Sequence, residues 1–235
     1  MKITIFKIDR HKAARAVGRR ADDTYNGRMK PTPFWLALLL AAPHPASGGS
    51  VPSKADWQDL RQGRPVVSYN RPEAAGGAIR VALLFHGPPE PIWAVLLSCE
   101  RTFEYVDGLR TCQTLEDGLE HAVVRQSVKK TWLLPPLDFL VEFERVPFVS
   151  IAFHQVEGDL RLLEGRWRFE LLPEDDMTLV TLDMQVQSRF PVPRWLVQRS
   201  LSRDLPDMLQ CLRALSGASG SDAQASRDRE ACPAS

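Results

Sequence analysis

The sequence predicts an α+β domain in which a curved antiparallel sheet wraps round one long C-terminal helix, with a space between the two. Three observations predict it. Behind the proline pair Pro191 and Pro193, the residues Val197, Leu201, Leu205, Met208, Leu212 and Leu215 recur at steps of three and four, which lays one apolar stripe along a helix. From Gly77 to Ser188 the chain reads mostly as strand-like runs with turn signals between them, among them Glu116-Asp117-Gly118 and Glu157-Gly158-Asp159. Strands joined by such short turns pair antiparallel, and a striped helix after them needs a sheet face to cover its stripe.

Residues 49–76 read as a linker, with one short helical turn around Asp56–Leu60, a short strand candidate at Pro65–Tyr69, and breaks at Asn70-Arg71-Pro72 and Gly76-Gly77. The domain proper is expected over residues 77–216. Its sheet begins at Ala78–Phe85, and two short helices follow, opening at Pro91 and running through Leu97 toward Glu104. The remaining strands are expected at Leu109–Leu115, Leu119–Lys129, Phe139–Val146, Phe148–Val156, Leu160–Leu172 and Met177–Ser188, for a sheet of about six to seven strands. Pro147 separates the middle pair because proline cannot donate to a ladder. Within the last helix Pro206 removes one N–H and crowds the carbonyl of Ser202, so a kink is expected there. Residues 217–235 are small and polar without periodicity and read as a disordered tail.

Alternation marks the dry face of the sheet. Val180, Leu182, Met184 and Val186 share one side of the last strand, and Trp167, Phe169 and Leu171 share one side of the strand before it. Their neighbours Leu179, Thr181, Asp183, Gln185, Arg166, Arg168 and Glu170 form the opposite face, which reads as polar and solvated.

Composition excludes some partners. The chain is 44% apolar and 25% charged with a net charge of +1, a balance that calls for neither nucleic acid nor an acidic membrane surface. Met29-Lys30-Pro31 is followed by the apolar run Phe34–Ala42 and then by small residues, with Ala46-Ser47-Gly48 suited to peptidase cleavage. Residues 29–48 therefore read as a signal peptide, and the run is too short for the ~20 residues of a membrane span. The expected location is exported and periplasmic, with a cytoplasmic protein as the alternative. Residues 1–28 form an Arg-rich extension ahead of that signal, so translation is expected to begin at Met29; a natural N-terminus between residues 1 and 28 would defeat this.

No catalytic constellation is visible. His11, His44, His86, His121 and His154 show no ligand spacing within one element, so no metal is expected. There is no Gly-x-Ser-x-Gly elbow, no Gly-x-Gly-x-x-Gly turn and no phosphate loop, so no cofactor is expected. Glu142 and Glu144 share a strand face opposite Phe139, Val141 and Phe143, where solvent is the better reading than an acid pair. His154 reads as a surface or rim residue, and Arg166 with Arg168 as part of a charged outer face.

The order of elements resembles a known superfamily. A strand leads into Pro91-Ile92-Trp93-Ala94-Val95-Leu96 and Phe103-Glu104-Tyr105-Val106-Asp107-Gly108-Leu109; Gly165-Arg166-Trp167 opens a strand ahead of a Thr-containing last one; Pro193-Arg194-Trp195-Leu196 and Asp204-Leu205-Pro206 lie in the closing helix. These features are similar to the START-like, helix-grip proteins, and within them the coenzyme Q-binding and polyketide cyclase/dehydrase branch. The resemblance covers about Ala78 to Leu215. It implies a hydrophobic ligand in a cavity between sheet and helix, and it is specific for fold rather than function. The signal-like N-terminus departs from the branch's cytoplasmic and mitochondrial members.

Within that fold the residues expected to face the ligand are Trp195, Val197 and Leu201 from the first half of the helix, acting as a lid, and Trp167, Phe169, Leu182 and Met184 from the sheet. The end of the first helical segment and the start of the next strand can be neighbours there, so a Cys99–Cys112 disulfide is expected. Cys211 is expected buried and reduced on the helix, with the fate of Cys232 open. The function expected is non-catalytic binding of a lipid, quinone or polyketide-like molecule. The alternative is a cyclase/dehydrase enzyme, which needs polar groups pointing inward, and a third reading is a filled core with an interaction surface.

Overall fold

The period-two runs form eight strands: β1 (Val66–Asn70), β2 (Gly77–His86), β3 (Leu109–Asp117), β4 (His121–Val128), β5 (Leu137–Val146), β6 (Ser150–Gly158), β7 (Leu160–Leu172) and β8 (Met177–Ser188). In this computed structural model, which describes residues 52–70, 77–129, 136–189 and 191–233, they make one antiparallel sheet in the order β1-β2-β8-β7-β6-β5-β4-β3. The candidate signal peptide, the extension before it and Phe190 lie outside the described residues. Five helices complete the domain: α1 (Lys54–Arg61), α2 (Glu90–Leu97), α3 (Cys99–Tyr105), α4 (Arg194–Leu215) and α5 (Asp222–Glu230).

Register follows the alternation. Trp167 stands opposite Leu182 and Phe169 opposite Val180, so their side chains meet on one face and are buried there with Val81, Leu83 and Phe85 of β2. On this face α4 contributes Leu205, Leu209 and Leu212, and α2 contributes Ile92, Trp93 and Val95. Gly165 fits the close approach of β6: any Cβ at that position would run into the Phe153 ring and the Asp183 carbonyl. Ser98 breaks the helical segment in two by accepting the Arg101 N–H as N-cap of α3.

Several expectations are corrected. The segment expected as a linker is structured: Ser53 and Asp56 form a capping box that starts α1, and β1 adds an eighth strand to the edge of β2. Leu60 of α1 packs with Ala82, Leu84 and Leu179 on the outer face of the sheet. That face is therefore dry under α1, and the unbroken run Val81–Phe85 is apolar because β2 is covered on both sides.

The segment expected as a disordered tail forms α5, capped by Ser221, and is tied to α4 twice. Cys211 pairs with Cys232, contrary to the expected free thiol. Arg213, 2% exposed, donates from Nε and Nη2 to the Asp228 carboxylate at 2.8 and 2.7 Å, and to the carbonyls of Leu84 and Gly63. Polar composition misled here because α5 is held by a charge pair and a cross-link rather than by an apolar stripe. α4 runs through Pro206 as one helix.

Candidate functional site

Period two on the dry face delivers a second consequence at the β4–β5 end of the sheet. There Val124, Gln126 and Val128 face inward from β4, and Phe139, Val141, Phe143 and Arg145 from β5. β4 and β5 pair Val124 with Val141 and Gln126 with Phe139, which puts these side chains side by side. α4 crosses with Leu205 and Met208, while Leu96, Leu97, Thr102, Tyr105 and Val106 come from the helical pair. Between these layers lies a cavity of about 220 Å³. That is more than the ~150 Å³ hole that accepts benzene and less than the ~300 Å³ at which drug-sized pockets begin.

The wall is apolar apart from a few polar groups, and Arg145 is the charged one. Only 9% of it is exposed. Its Nη1 donates to Asp117 Oδ1 at 2.9 Å and to the Gly118 carbonyl at 3.0 Å. Its Nε is buried and has no hydrogen-bond partner among the described residues. A buried donor left unpaired costs about 1–3 kcal/mol, which an acceptor atom on a ligand would offset.

Tyr105 is a second polar group. Its hydroxyl lies 3.3 Å from Thr102 Oγ1 and 3.5 Å from the Leu96 carbonyl, and Thr102 in turn donates to the Ser98 carbonyl at 2.9 Å. Burial pushes the Tyr105 phenol up to about 12, against the hydrogen bond with Thr102 and the charge of Arg101. At neutral pH it is a hydrogen-bonding phenol and not a base. The Cys99–Cys112 disulfide also lines the wall, with the Gln126 amide 3.8 Å from Cys112 Sγ.

The structure brings three of the residues expected at the ligand into this wall: Trp167, Leu182 and Met184. Phe169 does not line it; its ring meets Trp93 edge-on at 5.5 Å within the core. The helical half expected as a lid lies elsewhere. Trp195 is 66% exposed, and Val197 and Leu201 stand over Gly77 at the start of β2, where a Cβ would be 3.5 and 3.0 Å from them. The contribution of α4 comes one to two turns later, from Leu205 and Met208. Arg145 escaped notice although the series Phe139, Val141, Phe143 places it on the dry face by simple continuation.

The outer face carries the remaining candidates. His121 Nε2 is 2.9 Å from Glu142 Oε1, and His154 Nε2 is 3.6 Å from Oε2 of the same carboxylate. Arg80 and Arg168 both bond Asp183. Among the described residues there is no group of three or more His, Cys, Asp or Glu side chains that could hold a metal ion.

Comparison with known proteins places this geometry. Residues 86–213 match the family described as polyketide cyclase/dehydrase and lipid transport. Similar solved structures include a protein of Thermus thermophilus (22% identity, TM-score 0.53, 61% of this chain and 99% of that one). An aromatase/cyclase from a Streptomyces species is similar at 16% identity and TM-score 0.52, over 63% of this chain and 98% of that one. A STAR-related lipid transfer protein from Xanthomonas axonopodis is similar at 14% identity and TM-score 0.56, over 65% and 93%. At such identities the likeness is one of fold. No curated protein matches the chain.

Proposed function

Because the chain belongs to the polyketide cyclase/dehydrase and lipid transport family, we propose that it binds a compact hydrophobic molecule in the cavity between sheet and α4, as a carrier or sequestering protein. One observation carries the reading: an apolar cavity whose single buried cation, Arg145, keeps its Nε unpaired among the described residues. The ligand leaves water for the walls formed by Trp167, Leu182, Met184, Leu205 and Met208, and an acceptor oxygen on it takes the Nε–H. About 220 Å³ suits one or two fused rings better than a two-chain lipid.

A second reading, a cyclase/dehydrase-type enzyme, is favoured by the inward polar groups that the alternation alone did not promise: Arg145, Tyr105, Thr102 and Gln126. In it Arg145 would stabilise a developing enolate oxygen. Tyr105 is ill suited to take the proton, since its phenol is pushed to about 12.

Export to an oxidising compartment, from a signal peptide starting at Met29, belongs to the same proposal. Two disulfides support it, because such bonds persist outside reducing cytosol. No helix of the described residues is long and apolar enough to cross a membrane.

Fluorescence titration with 2-naphthoate tests the binding reading. Saturable one-to-one binding is expected, abolished when Val141→Trp fills the cavity while the fold is retained. Equal binding by both proteins, or none by either, would defeat it.

A further inference from the structure

We propose that the Cys99–Cys112 disulfide is a thiol-exchange site that gates the cavity, so that its reduction by a dithiol frees edge strand β3 from α3 and speeds ligand release. The gating part rests on the binding function proposed above; the loosening of β3 does not.

Placement is the first ground. Both cysteines line the cavity and both are only half-buried, which leaves the bond open to a small thiolate. The second disulfide differs at one end only: Cys211 is fully buried, while Cys232 is half-buried. Exchange requires in-line access to a sulfur, and the first bond offers it at both ends but the second at Cys232 alone, so the first should exchange faster.

Consequence is the second ground. Among the described residues β3 ends the sheet and pairs only with β4. Its register is broken between Leu109 and Thr111 and again between Thr114 and Glu116. Of its nine residues only Leu109 is buried, so little apolar packing holds it, and a segment of that kind opens locally at low cost. The disulfide fastens this strand to α3, whose Thr102 and Tyr105 form the adjoining wall. Breaking Cys211–Cys232, by contrast, would leave α5 held by Arg213 and Asp228.

The chemistry balances. One thiolate of the dithiol attacks a protein sulfur, giving a mixed disulfide and expelling the other cysteine as thiolate. The second thiol of the reagent then displaces the first cysteine, so two electrons and two protons pass to the protein and the dithiol closes to its own disulfide.

The test treats the full-length oxidised protein with graded dithiothreitol, traps thiols with iodoacetamide and maps them by mass. Cys99 and Cys112 should be alkylated while Cys211–Cys232 persists. In that singly reduced form, amide exchange over residues 109–117 should quicken, and 2-naphthoate should dissociate about tenfold faster or more. Cys99→Ser/Cys112→Ser should show both effects without reductant, and Cys211→Ser/Cys232→Ser neither. If 2-naphthoate does not bind the oxidised protein, the binding reading falls while exchange at 109–117 still decides the loosening. Simultaneous reduction of both bonds, unchanged exchange in β3, or an unchanged dissociation rate with β3 loosened would each overturn the gate.

Discussion

A cation in an apolar wall must be held by fixed partners, and Arg145 is held by Asp117 and Gly118 at the tip of the β3–β4 hairpin. Those bonds use Nη1, and Nε has no partner among the described residues. Arg145→Met should therefore weaken 2-naphthoate binding by about ten- to a hundredfold, the worth of a hydrogen bond to a charged group, and leave the affinity for neutral 2-methylnaphthalene unchanged or raised. Parallel titrations check this. Tyr105 gives a pH test. Its folded phenol sits near 12 against an ordinary 10, so the stability it contributes is complete below pH 10 and is lost as pH rises from there through 12. The loss is about 3 kcal/mol at most, and Tyr105→Phe should remove that alkaline slope in denaturant melts. At this scale the sequence is unevenly legible. Trp167, Leu182 and Met184 were legible because side chains on one strand face stay together. Arg145 obeys the same rule but is harder to place, because an arginine suggests solvent until its strand is seen to continue the dry series from Phe139 to Phe143.

Elements differ in how they are held, and this decides which could be foreseen. The sheet and α4 carry their instructions locally, as period two and as a stripe, so their existence and order could be read from the chain. α1 and α5 do not. α1 buries little beyond Leu60, and α5 has one buried residue, Asp228, whose partner Arg213 lies in another helix. No periodicity announces such a pair. Burial works against the Asp228 charge, but hydrogen bonds from Arg213, Ser219 and Gln224, with the Arg213 charge, outweigh it and hold the carboxyl below its usual range. Its stabilising share is thus present above the ordinary carboxylate pKa and lost as pH falls through the lowered value. Asp228→Asn or Arg213→Met alone should cost about 3–5 kcal/mol, because each leaves a buried charge unpaired. Arg213→Met/Asp228→Leu should recover much of that loss, and equilibrium urea unfolding of the three variants would measure it. Additive losses in the double variant would mean that the pair is not acting as a unit. The Cys99–Cys112 bond closes a short loop and should add about 3 kcal/mol in the loop-entropy model.

For the whole molecule, the fold assigns separate tasks to the two ends of α4. Its C-terminal part, with Leu209, Leu212 and the α5 clasp, anchors the sheet, and Leu205 with Met208 closes the cavity. The exposed N-terminal turn, with Trp195, takes no part in that wall. The general idea of a sheet gripping a helix over a cavity was legible from the order of elements. The cavity's position was not, because it depends on where α4 crosses β4 and β5, a distance in space that no local pattern encodes. We propose that this cavity holds a small hydrophobic molecule. Native mass spectrometry of the protein recovered from its own source, beside a Val141→Trp form prepared in the same way, tests it most directly. A small-molecule adduct at one-to-one stoichiometry is expected on the natural protein and not on the filled variant; an adduct carried equally by both, or bare protein in both even after incubation with 2-naphthoate, would show that the cavity holds no such molecule.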